Sequence, residues 1–220
     1  MQPTNARCWR KLAVLTTVAL IGQMANSQQR ASVLQTTTFS APDRAFLFSY
    51  PNDFQICTAG KIDLCLHSFM PVCEADALVC VIYPTRQFEG TNFGAASFQV
   101  REIHREEMMT PDVCATPYPL MDSNGPWRWP EFLVSAEHPV ETIGGVQFLH
   151  WVTGEGATSH SLGSNLYRGF HIQRCFELRV STTATDPSVS DPPLKTLTSA
   201  QQKKLDQSMS QILHSFRFSN

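Results

Sequence analysis

Apolar and polar positions divide the chain into short strand-like runs and one helical stripe. Residues 46–50, FLFSY, form a β-prone run that Pro51 stops. Residues 77–84, ALVCVIYP, stay apolar up to Pro84 and predict a strand buried in the middle of a sheet. Residues 92–104 alternate. Ala96, Phe98 and Val100 fall on one face and Ser97, Gln99 and Arg101 on the other, which predicts a half-buried strand. Gly144-Gly145 sits between two β-prone runs and predicts a two-residue hairpin. Residues 166–183 alternate for longer than the roughly 3–10 residues of an ordinary strand. Unbroken alternation would also set Arg174 among Phe170, Ile172, Phe176 and Leu178, where an unpaired charge is costly. A turn near 171–174 removes the conflict and predicts a second hairpin.

The periodicity changes near the C-terminus. Thr198 and Gln201 have the spacing of a capping box. Leu205, Met209, Ile212, Leu213 and Phe216 then share one helical face, while Lys203, Lys204 and Gln207 lie off it. The following SFRF, 215–218, suits a short edge strand. Residues 28–42 are polar and read as a loose lead-in with room for a short strand. Five prolines between 111 and 130 leave no room for a regular element, so this stretch is expected to be a long surface loop pinned at Cys114. Residues 185–193 form another loop.

The first 27 residues change the picture of where the protein works. Arg7, Arg10 and Lys11 precede an apolar stretch, Leu12–Ile21, and Ala25 and Ser27 are small. That order predicts a secretory signal peptide over 1–27. Its apolar stretch would rise about 15 Å as a helix, against about 30 Å for a bilayer core, so it is not read as an anchor. The expected organisation is a signal peptide (1–27), a loose lead-in (28–43) and a single α+β domain (44–220). Cleavage removes three of the 17 basic residues and none of the 19 acidic ones, leaving a net charge of −5. A mildly acidic domain argues against nucleic acid as a partner, and no later run suits membrane insertion. A secreted or periplasmic location is expected.

Six cysteines follow the signal: Cys57, Cys65, Cys73, Cys80, Cys114 and Cys175. An even number in an exported chain predicts three disulfides with the pairing left open. Successive spacings between 57 and 80 are wider than the close pairs of zinc sites. Four cysteines therefore staple a loop-rich insert.

Candidate chemistry is sparse. No H-E-x-x-H stands among the seven histidines. A metal site would need His150, His160 and His171 to converge with Glu155; structural histidines are the simpler reading. Residues 156–164, GATSHSLGS, lack the G-x-S-x-G of a nucleophile elbow, although Ser159, His160 and Ser161 could line a pocket from a loop. Glu106-Glu107 read as a solvated pair. Trp127 and Trp129 around Arg128 suit either a binding surface or a packed lid. No motif implies a cofactor, and none is expected. A binding rim is expected in 157–171, a Gly/Ser-rich loop followed by a polar-aromatic strand. It would use His160, Tyr167, Arg168 and His171, with Arg168 as a fork for carboxylate or phosphate. The competing reading makes Tyr167 and Arg168 scaffold, with Arg168 paired to an acid such as Glu177.

The order FSYPNDF, CVIYP, TNFGAASFQV, YRGFH, CFEL and ILHSFRF, spanning most of 44–219, resembles small exported bacterial proteins of the PsbP-like superfold. The resemblance implies an antiparallel β-sheet packed against helices, an α/β/α sandwich, here with a disulfide-rich insert at 57–80 that departs from the plainer pattern. It also implies a non-catalytic binding or assembly module for an unknown protein or small-molecule ligand. A small secreted hydrolase and a structural surface protein are the alternatives. The photosystem role of that group does not carry over.

Overall fold

The computed structural model describes residues 35–62, 72–104, 108–115, 120–122, 125–127, 139–157 and 159–219. The expected signal peptide lies outside them, as do Cys65, His67, Glu106, Glu107, Arg128, Trp129 and His138. Seven strands form one antiparallel sheet. In spatial order they are β3 (Gln55–Thr58), β4 (Val79–Ile82), β5 (Phe93–Ile103), β11 (Arg174–Thr185), β10 (His160–His171), β9 (Val146–Ala157) and β8 (Val140–Ile143). A smaller sheet joins β1 (Thr36–Ser40), β2 (Phe46–Pro51) and β12 (Arg217–Phe218). β6 (Leu120–Asp122) and β7 (Gly125–Trp127) pair with each other. The helices are α1 (Pro111–Ala115) and α2 (Ser199–Ser215). The fold is thus mainly antiparallel sheet, with helix as the lesser part.

The apolar core lies between the small sheet, α2 and one face of the large sheet. The capping box is formed: Thr198 Oγ1 accepts from Gln201 N at 3.3 Å, and Thr198 N donates to Gln201 Oε1 at 2.9 Å. Leu205, Met209, Ile212 and Leu213 then face inward, against a phenylalanine-rich layer that includes Phe46, Phe48, Phe98, Phe148 and Phe176. After Phe216 the chain leaves the helix and pairs β12 with β2, as the SFRF pattern requires.

Both expected hairpins form. Gly144 and Gly145 have φ of 57° and 83°, and join β8 to β9 with Ile143 opposite Val146. Gly144 is also fixed by proximity, because a Cβ there would stand 2.6 Å from the Phe216 carbonyl oxygen. The second turn falls at Ile172-Gln173, both at positive φ, and links β10 to β11. Arg174 nevertheless shares a face with Phe176 and sits 4.9 Å above its ring. The turn alone does not solve its burial. A fork to Glu102 (2.9 and 2.6 Å) and a contact with Asp43 at 2.9 Å do so at the rim of the core.

Three expectations need correction. β5 is buried on both faces, with Ser97 and Gln99 fully enclosed, because a second layer covers its polar side. The Gly/Ser-rich loop expected at 157–164 is largely strand, since β9 runs to Ala157 and β10 starts at His160. The proline-rich stretch contains α1 and the β6–β7 pair. Pro111 opens α1, where its missing N–H costs no helical bond, and a two-strand ribbon has outer edges that tolerate Pro126. Disulfides join Cys73 to Cys80 and Cys114 to Cys175. Cys57 is also disulfide-bonded, with its partner outside the described residues.

Two predictions follow from this packing. Leu205→Ala and Ile212→Ala should each lower stability by about 2–5 kcal/mol in urea titration, while Lys204→Ala on the exposed side should be nearly silent. Gly144→Ala should cost more than the roughly 1–2 kcal/mol expected of Gly145→Ala. Both strain φ, but only the first drives a methyl into the backbone leaving α2.

Candidate functional site

The second face of the large sheet has an unusual composition. All seven buried polar or charged residues among the described residues lie on it: Ser97, Gln99, Ser164, Arg168, Glu177, Ser181 and Thr183. Strand alternation puts them there. Arg101 on β5, Glu177 on β11 and Arg168 on β10 stand opposite one another in a single row, and Arg179 lies two residues further along β11. Glu177 is fully buried and accepts from three guanidinium groups: Arg168 Nε at 2.9 Å, Arg179 Nη2 at 3.1 Å and Arg101 Nη1 at 3.3 Å. Arg168 also sits 5.5 Å over the Trp151 ring.

A short segment before β4, Val72–Leu78, lies over this row. Ser97 Oγ donates to the Val72 carbonyl at 2.5 Å, and Glu74 N donates to Gln99 Oε1 at 2.7 Å. The segment brings two carboxylates. Asp76 accepts from Arg101 Nη2 at 2.7 Å, and Glu74 pairs with Arg179. Cys73–Cys80 ties the segment to β4. Burial alone would loosen the proton on Arg101. The Asp76 hydrogen bond and the charges of Glu177, Asp76 and Glu74 outweigh it, so the guanidinium is held more firmly charged than a free one. Beyond the row, Cys114–Cys175 fixes α1 on the same face beside Ile103 and Phe170.

The four residues expected to form a rim are dispersed. Arg168 belongs to the row just described. Tyr167 faces the opposite way, stacked on His150 at 4.4 Å, while His150 Nε2 lies 3.0 Å from Asn165 Oδ1. Burial, with the nearby Glu141 charge, pushes the Tyr167 phenol up to about 12, so it stays protonated at neutral pH. His160 begins β10, with Nδ1 3.1 Å from the Thr185 hydroxyl. His171 ends the same strand and stacks on Phe218 at 4.1 Å. At about 3.3 Å per residue, the strand holds His160 and His171 roughly 36 Å apart. Convergence of His150, His160 and His171 on a metal is thereby ruled out. Alternation also turns His160 and Ser161 to opposite faces, so they do not line one pocket. The Glu155 side chain lies outside the described residues.

An open groove of about 500 Å³ runs between the start of α2 and the end of β11, lined by residues including Asn92, Thr182, Gln202, Lys203 and Asp206. Among the described residues, no group of three or more His, Cys, Asp and Glu side chains is placed to hold a metal. No helix among them is long and apolar enough to cross a membrane.

The carboxylate at the centre of the row, Glu177, is not singled out by any motif, yet a cue existed. A disulfide-bonded cysteine is commonly buried, and Cys175 is in phase with Glu177, Arg179 and Ser181. That phase marks the polar side of β11 as a covered face.

Glu177→Gln should therefore be far more harmful than its size suggests. It leaves three arginines beside a neutral amide, and the expected loss is about 3–5 kcal/mol by urea denaturation. Asp76→Asn, whose side chain is 62% exposed, should cost about 1 kcal/mol or less.

No protein-family model and no curated protein sequence matches the chain. Solved structures do resemble it. A Bacteroides thetaiotaomicron protein aligns with a TM-score of 0.41 and 9% identity over 83% of this chain, which spans about half (48%) of that longer one. LpqN, involved in cell envelope biogenesis of Mycobacterium tuberculosis, aligns at 0.40 and 10% identity, covering 84% of this chain and 91% of LpqN. Cyanobacterial PsbP from Synechocystis aligns at 0.32 and 9% identity, covering 89% of this chain and 99% of that one.

Proposed function

We propose that the protein is an exported, non-catalytic binding or assembly module, working in a secreted or periplasmic setting. In this reading its layers follow a PsbP-like sandwich. α2 and the small sheet cover one face of the large sheet, and α1 and the Val72–Leu78 segment cover the other. The observation that carries the reading is the arginine row around Glu177. A face that serves stability alone is filled at least equal advantage by apolar side chains of similar volume, because buried ion pairs are costly to desolvate. Guanidinium forks instead suit recognition of carboxylate- or phosphate-bearing partners. The disulfides support an oxidising compartment, where such bonds persist.

The test uses the full chain, expressed in a bacterium with an intact envelope. The product should begin after Ser27, occur outside the cytoplasm and contain no free thiol. A photocrosslinking residue at exposed Ala75, above the arginine row, should trap an envelope partner. The same probe at exposed Ser199, on the α2 side, should not. A cytoplasmic, thiol-bearing product would overturn the exported reading. Equal adducts at both positions, or none at Ala75, would move the binding surface away from this face.

A further inference from the structure

Three buried donors beside the arginine row have no acceptor among the described residues: Gln99 Nε2, Arg101 Nε and Arg179 Nε. They lie close in the register, since Gln99 stands opposite Arg179 and Arg101 is two residues along the same strand. Gln99 is fully buried, and its Oε1 is already taken by Glu74 N. An orphaned donor in such a place is costly, and three together call for an acceptor rich in oxygen lone pairs. Charge points the same way. The cluster around Glu177 draws three arginines, Arg101, Arg168 and Arg179, and that one carboxylate from the sheet. Among the described residues, Arg101 and Arg179 gain further counter-charge from Asp76 and Glu74, which reach in from the Val72–Leu78 segment with side chains 62% and 42% exposed. Lifting those two carboxylates away leaves Arg101 and Arg179 sharing Glu177 as their one carboxylate among the described residues, beside unsatisfied N–H groups.

We propose that Gln99, Arg101 and Arg179 form a binding site for a small dianionic oxyanion of the phosphate-monoester class, with Glu74 and Asp76 as internal stand-ins for its two charges. This rests on the binding-module reading above and adds the ligand class. Arginine presents paired N–H groups that match tetrahedral oxyanions, and Gln99 supplies a neutral donor beneath them. The segment that carries the stand-ins is short and anchored through Cys73–Cys80, so its acidic side chains can swing outward while its backbone bonds to Ser97 and Gln99 remain. The ligand therefore competes with two exposed carboxylates without unfolding a structural element.

Inorganic phosphate is the probe, titrated into the folded chain against potassium chloride of matched ionic strength. Calorimetry and the Gln99 side-chain amide resonance are the readouts. In the wild-type protein, phosphate but not chloride should shift the Gln99 signal. Glu74→Gln with Asp76→Asn removes the competitors and should tighten phosphate binding by about tenfold or more. Adding Arg179→Gln to that pair should abolish the gain. A folded double variant that binds phosphate no better than wild type overturns the proposal, as does a wild-type Gln99 signal indifferent to phosphate. Such a failure is distinguishable from failure of the module itself. If the Ala75 probe still traps an envelope partner, the binding face stands and only the ligand class falls.

Discussion

A carboxylate sealed from water must be surrounded by donors, and Glu177 meets that demand with three guanidinium groups from three adjacent strands. Much of the architecture answers to it. β5, β11 and β10 must hold a register that sets Arg101, Glu177 and Arg168 in one row, and a slip of one residue would turn every one of them into the phenylalanine core. The row also needs a cover that contributes charge of its own. The Val72–Leu78 segment provides this with Glu74 and Asp76, and Cys73–Cys80 keeps that segment in place.

The large sheet thus separates two kinds of interior. On one side Phe46, Phe98, Phe148, Phe176 and Phe216 pack against the stripe of α2, and contacts there are non-directional. On the other side Ser97, Gln99, Ser164, Ser181 and Thr183 accompany the charges, and each contact has a direction. Ser164 and Ser181 bond across β10 and β11 at 2.9 Å, and Ser97 bonds a covering carbonyl. An apolar layer tolerates repacking, whereas a polar layer with orphaned donors does not, which concentrates specificity on the second side.

How much of this was legible follows from the range of each interaction. The Gly144-Gly145 hairpin, the capping box at Thr198 and the stripe from Leu205 to Phe216 are local patterns, and all three are read correctly from sequence. The turn at Ile172-Gln173 was legible only indirectly, from the misfit of Arg174, because neither residue is a common turn former. The burial of Gln99 and Ser97 was not legible, because alternation distinguishes two faces and says nothing of what lies over the polar one. The spread of His160, Tyr167, Arg168 and His171 escaped for a related reason. Closeness in sequence suggests a cluster, but an extended strand separates its ends and sends neighbours to opposite sides. The Arg168–Glu177 pair is legible, since an antiparallel hairpin with its turn at 172–173 sets those two residues face to face.

The bond between Cys114 and Cys175 spans 61 positions of sequence, and β8, β9 and β10 all lie inside the loop it closes. On chain-entropy grounds such a closure is worth about 4 kcal/mol against the unfolded ensemble. It also gives the molecule a covalent topology that the backbone alone lacks. A peptide bond cut anywhere between those two cysteines opens the ring but leaves the two halves joined through the disulfide. For a protein expected to meet proteases outside the cytoplasm, a single nick in that span would be a scar and not a loss.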